Sequence, residues 1–117
     1  MTNALCHFEL MTSDPARCRG FYAALFDWTF DDKSMPNYTL VHTGKEPMGG
    51  IFPRPAEAPR ACMNVYFTVT DLDRTLSRAV ELGGKVIVPK TPIPGTGDFA
   101  MFTDPEGIAI GIMQPKR

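Results

Sequence analysis

His7-Phe8-Glu9-Leu10-Met11-Thr12-Ser13-Asp14 and Asn64-Val65-Tyr66-Phe67-Thr68-Val69-Thr70-Asp71 decide the fold, because the second stretch lies over the first at an offset of 57 residues. Each is an apolar, strand-like run that ends at an aspartate opening an amphipathic helix. The match continues through Arg17 over Arg74 and Leu25 over Leu82. Identity is sparse, but the order of elements and the polarity pattern agree. Two copies fill almost the whole chain of 117 residues. Such a repeat predicts two modules that bury a common face and enclose a cavity neither could make alone.

Working outward from the first copy, residues 4–11 alternate as a strand, with Phe8 and Leu10 on one face and His7, Glu9 and Met11 on the other. Asp14 can cap a helix whose first position is taken by Pro15, where no helical hydrogen bond is lost. Cys18, Phe21, Tyr22, Leu25 and Phe26 follow at helical spacing and are expected to form one apolar stripe. Trp28-Thr29-Phe30 reads as a strand, Asp31-Asp32-Lys33 as a turn, Tyr38 to His42 as a third strand, and Met48 to Phe52 as a fourth containing Gly49-Gly50. A proline-rich connector, residues 53–60, joins a module of residues 4–53 to one of residues 61–115.

The second copy repeats the order. Cys62 to Val69 is a strand with Asn64, Tyr66 and Thr68 on one face. Asp71 opens a helix with Leu72, Leu76, Ala79 and Val80 inward, and Gly83-Gly84 ends it. Lys85 to Val88 is a strand and Pro92 to Gly97 a loop; Phe99 to Thr103 is a strand, Asp104-Pro105-Glu106-Gly107 a tight turn, and Ile108 to Met113 the last strand. The fold class is therefore α+β, with paired βαβββ modules forming curved sheets around a cavity in a single domain, residues 1–117.

Composition narrows the function classes. A formal net charge of −1 supplies no broad electrostatic attraction to nucleic acid or an anionic membrane. No apolar run approaches the roughly 20 residues that span a bilayer, and no charged-then-apolar leader pattern opens the sequence. Cys6, Cys18 and Cys62 are odd in number and lack CxxC spacing, so reduced thiols in a cytoplasmic protein are expected. Pro92-Ile93-Pro94-Gly95-Thr96-Gly97 lacks the Lys-Ser/Thr of a phosphate loop and opens no helix.

The chain resembles the glyoxalase/bleomycin resistance/dioxygenase, or vicinal oxygen chelate, superfamily. The residues that carry the resemblance are Asp14 with Phe21-Tyr22 and Leu25-Phe26-Asp27-Trp28, then Val69-Thr70-Asp71-Leu72-Asp73, the Leu82-Gly83-Gly84 helix end, and Phe102-Thr103-Asp104-Pro105-Glu106-Gly107. The resemblance implies a shared cavity and, in metal-dependent members, four inward side chains that hold a divalent ion on which a substrate chelates through adjacent oxygens. His7 falls at the first ligand position. Asn64 stands where a second histidine is usual, Gly111 where the closing glutamate would stand, and Gly49 or Gly50 at the remaining carboxylate. A glycine has no side chain to coordinate with and a neutral amide is a poor ligand for zinc or nickel, so no metal is expected in that arrangement. A divalent ion on His7, Glu9 and His42 is the alternative.

The expected function is binding of a small organic molecule by His7, Glu9, Asn64 and Tyr66, with apolar walls from Phe52, Phe99 and Met113 and with extra room at the glycines. His7 and Glu9 also form a candidate acid–base pair, in which the carboxylate would draw the imidazole pKa toward or above neutrality. The sequence shows no stabiliser for an oxyanion. A metal-dependent or acid–base lyase, isomerase or dioxygenase is therefore the second reading, and a protein-association module whose cavity is filled by its own side chains is the third. The resemblance further implies a homodimer.

Overall fold

A computed structural model describes residues 2–58 and 60–116. The elements run β1 Leu5–Thr12, α1 Pro15–Leu25, β2 Thr29–Met35, β3 Tyr38–His42 and β4 Met48–Pro53, then β5 Cys62–Thr68, α2 Leu72–Glu81, β6 Lys85–Ile93, β7 Gly97–Thr103 and β8 Ala109–Pro115. This is βαβββ twice, as the duplicated sequence predicts.

The chain forms two compact units, one of His7–Asn64 and the other of the residues up to Cys6 with those from Val65 onward. In the first, the strands lie in the order β2-β3-β4-β1; β1 is parallel to β4 and the other pairs are antiparallel. In the second, the order β6-β7-β8-β5 and the strand directions are the same, with β5 parallel to β8. The N-terminal residues belong with β5: the Thr68 amide donates to the Ala4 carbonyl at 2.9 Å, and Asn3 Nδ2 donates back to the Thr68 carbonyl.

Each unit has its own core. Leu10, Val41 and Ile51 are buried in the first, with Phe8, Cys18, Tyr22, Trp28 and Phe30 packed on them. Val69, Leu72, Ala100 and Ile112 are buried in the second, against Leu76 and Phe102. Each large aliphatic side chain so buried contributes about 1.5–3 kcal/mol. Both helices start on the predicted aspartates: Asp14 accepts from the Arg17 amide and Asp71 from the Arg74 amide. Helix α2 ends in a Schellman arrangement, with Gly83 at φ +102° and the Gly84 amide donating to the Ala79 carbonyl.

Several local expectations change. The α1 stripe splits: Cys18 and Tyr22 pack on the core, whereas Phe21, Leu25 and Phe26 remain 60%, 58% and 45% exposed. In α2, Val80 is likewise exposed, while Leu72 is fully buried. Asp31-Asp32-Lys33 is strand, not turn. Asp31 accepts from the Lys33 and Ser34 amides across a register slip, and the chain reverses at Pro36-Asn37 instead. The loop expected at Pro92 to Gly97 shrinks to a turn over residues 94–96, because β6 pairs with β7 as far as Ile93 opposite Gly97. Prolines 89 and 92 are accommodated because β6 is the outer strand of its unit.

Gly84 is a tight joint between α2 and β7. A Cβ there would lie 2.6 Å from the Thr103 carbonyl oxygen and 3.0 Å from that of Ala79. Gly84→Ala is therefore expected to lower stability by about 1–3 kcal/mol, read as a fall in the urea midpoint. An unchanged midpoint would contradict this packing.

Candidate functional site

Strand alternation turns Phe8 and Leu10 into the core and leaves His7 and Glu9 on the opposite face of β1. Between these two polar side chains stands Tyr38, the first residue of β3. His7 Nε2 lies 2.6 Å from the Tyr38 hydroxyl, which donates to Glu9 Oε2 at 3.1 Å. The imidazole and phenol rings are stacked at 6.3 Å with 19° between their planes. Phe52 follows at 6.1 Å from the phenol. All four side chains are half-buried. The phenol has one proton, so when it donates to Glu9 the bond to His7 takes the imidazole Nε2–H.

Gly50 makes this arrangement possible. It pairs with Glu9 on β1 and Leu40 on β3, and a Cβ built on it would collide with the Tyr38 hydroxyl and ring. The equivalent place in the second unit has the same solution by a different route. Tyr66 pairs directly with Gly111, its ring lies where a Cβ of Gly111 would be, and it meets Phe99 edge-on at 6.2 Å. Its hydroxyl reaches Met101 Sδ at 3.7 Å. The two glycines thus do not open space, as the sequence suggested; tyrosine rings fill it.

The remaining candidates fall as follows. Asn64 is buried in the first unit, where its Oδ1 accepts from the Cys62 thiol at 3.8 Å. Met113 pairs with Phe99 across β7 and β8. His42 is exposed on β3 opposite Thr29. Among the described residues no three His, Cys, Asp or Glu side chains come together as a metal-holding group, so the His7/Glu9/His42 cluster does not assemble. Tyr38 escaped the sequence reading, although a glycine pair inside a strand is the ordinary sign of a close approach. A cavity of about 470 Å³ shares none of these residues; it lies in the second unit, where Arg74 and Arg78 of α2 face Phe102 and Pro105.

The electrostatics also differ from expectation. The His7 pKa is lowered from 6.5, chiefly by burial, with a hydrogen bond to the Met48 main chain acting in the opposite sense. The Tyr38 hydroxyl stands between this imidazole and the Glu9 carboxyl group. The site therefore presents a neutral imidazole, a phenol and a carboxylate in one hydrogen-bonded chain. That chain can donate to and accept from an oxygen-bearing ligand, and the phenol is the donor the sequence did not reveal.

A sequence model of the Glyoxalase/Bleomycin resistance protein/Dioxygenase superfamily matches residues 4–112. The chain belongs to this superfamily. It is 33% identical over 116 residues to CFP32 of Mycobacterium tuberculosis, whose name carries the word glyoxylase, covering 93% of this chain and 44% of that protein. It is also 33% identical over 109 residues to the anthracycline biosynthesis protein DauV of Streptomyces sp. (strain C5), covering 91% and 39%. The chain thus spans less than half the length of these relatives. Among solved structures, methylmalonyl-CoA epimerase from Mycobacterium tuberculosis aligns with a TM-score of 0.71 at 12% identity over 97% of this chain and 88% of that one. An extradiol ring-cleaving dioxygenase from B. fuscum aligns with a TM-score of 0.70 at 20% identity, over 97% of this chain and 32% of the other. At these identities the likeness is one of fold.

Members of this superfamily often hold a divalent metal, and the residues here do not fit one at the four family positions. Gly50 and Gly111 offer no donor, the place beside each is filled by Tyr38 or Tyr66, and Asn64 is a neutral amide.

The lowered His7 pKa gives the site a pH signature. The unfolded chain binds this proton more readily than the folded one, so stability is complete above pH 6.5 and is lost as pH falls through that value toward the depressed folded pKa. Thermal melts from about pH 7.5 to about pH 5.5 should show a declining Tm whose slope flattens in His7→Gln. An unaltered slope in the variant would contradict a neutral, half-buried His7.

Proposed function

We propose that this chain binds a small organic molecule through His7, Glu9 and Tyr38, with Phe52 as an apolar wall and without a metal at the four family positions. One observation carries the reading: a half-exposed imidazole–phenol–carboxylate chain stands beside an aromatic ring, the usual composition of a small-molecule site. The names of the relatives, with the words glyoxylase and anthracycline biosynthesis, are in keeping with small-molecule chemistry. Phe99, Met113, Asn64 and Tyr66 contribute packing in this reading, Tyr66 being only 4% exposed.

Thermal-shift screening against oxygenated metabolites and aromatic antibiotics tests it. A ligand at about a hundred times its Kd should stabilise the native protein by about 2.7 kcal/mol. The shift should survive a strong chelator and shrink in His7→Gln. A stoichiometric metal whose removal abolishes the shift would overturn the proposal.

A second reading, association, is favoured by the exposed Phe21, Leu25 and Phe26 on and beside α1, an apolar face of the kind that marks protein contacts. A homodimer through this face predicts a dimeric mass by light scattering and a monomeric one for Leu25→Asp. A monomer at both would remove the reading.

A further inference from the structure

We propose, resting on that reading of the same site, that Tyr38 is a tethered stand-in for a phenolic ligand, and that it swings aside when a phenol ring binds. The partners a bound phenol needs are already gathered around it. An imidazole nitrogen and a carboxylate oxygen meet the hydroxyl at 2.6 and 3.1 Å, and the Phe52 ring follows at 6.1 Å. The backbone at Gly50 is bare where the ring and hydroxyl lie, so the seat accepts a flat ring close to the strand.

The attachment of Tyr38 suits a group that leaves its seat. It follows the Pro36-Asn37 reversal, with Asn37 at φ +55°, and sits beyond the register slip between Asp31 and Met35. Tyr38 pairs with Met35 at the hairpin end and lies outside the β3–β4 pairing of Thr39 to Val41, so its side chain can turn without unzipping that ladder. Tyr66 provides the contrast. It covers Gly111 from β5 and is almost wholly buried, with its hydroxyl reaching a methionine sulfur. Tyr66 is locked in by burial, whereas Tyr38 is a half-buried occupant of a polar seat.

An internal occupant lowers the apparent affinity of an external one by the fraction of time the seat is free. Calorimetry with p-cresol, which is the tyrosine side chain detached, and with 4-methylanisole, which cannot donate a hydrogen bond, reads this directly. Tyr38→Ala should bind p-cresol at least about tenfold tighter than the parent chain, with no such gain for 4-methylanisole. Tyr38→Phe, which keeps the ring in its seat, should show no gain. Equal gains for both probes, no gain in Tyr38→Ala, or an equal gain in Tyr38→Phe would each overturn the proposal. Should Tyr38→Ala fail to fold, NMR of the parent chain decides. Saturating p-cresol should move the Tyr38 ring signals toward free-tyrosine values, and unmoved signals would sink the idea. A parent chain that binds metabolites through His7 while these phenol measurements fail would leave the small-molecule reading standing and remove only the stand-in.

Discussion

Two glycines opposite two tyrosine rings are the constraint on which the rest of this structure depends. Gly50 pairs with Glu9 across parallel strands of the first unit, and Gly111 pairs with Tyr66 in the corresponding place of the second. A side chain at either glycine would meet an aromatic ring. The resemblance read from the sequence puts carboxylates at these same two positions. A carboxylate side chain at either position and the tyrosine ring beside it exclude each other, because both cannot occupy the same few cubic ångströms. In the first unit the ring belongs to a polar centre; in the second it makes a buried aromatic contact.

That difference follows from neighbours. Around Tyr38 the strand face supplies His7 and Glu9, so the phenol is held by charge-assisted and neutral hydrogen bonds in a half-buried setting. Around Tyr66 the face supplies Phe99 and Met101, and the ring is almost wholly buried. Duplicated modules with the same topology have diverged in chemistry at equivalent positions. Function is carried by the site and not by the repeated architecture.

Much of the architecture was legible in the sequence. The offset repeat, the two capping aspartates, Gly83-Gly84 and the Asp104 turn each rest on local chemistry, and local chemistry is what a single sequence records. The Asp104 carboxylate, for instance, accepts from the Glu106 and Ile108 amides as the turn requires. Strand ends were less legible, because Asp31 hides a bulge inside what looks like a turn and Pro92 sits on an outer strand that tolerates it. The site was half legible. His7 and Glu9 announced themselves by alternation, but Tyr38 joins them through a non-local pairing that no spacing rule encodes. The direction of the His7 pKa was missed for the same reason, since burial is a property of the fold.

The central claim is that the Tyr38 phenol lies against Gly50, and a double-mutant cycle on stability tests it most directly. Gly50→Ala should destabilise the parent chain but cost far less in a Tyr38→Ala background, giving a coupling of about 0.5–3 kcal/mol. Additive effects of the two substitutions would show that the ring does not occupy that seat, and the account of the site would fall with it.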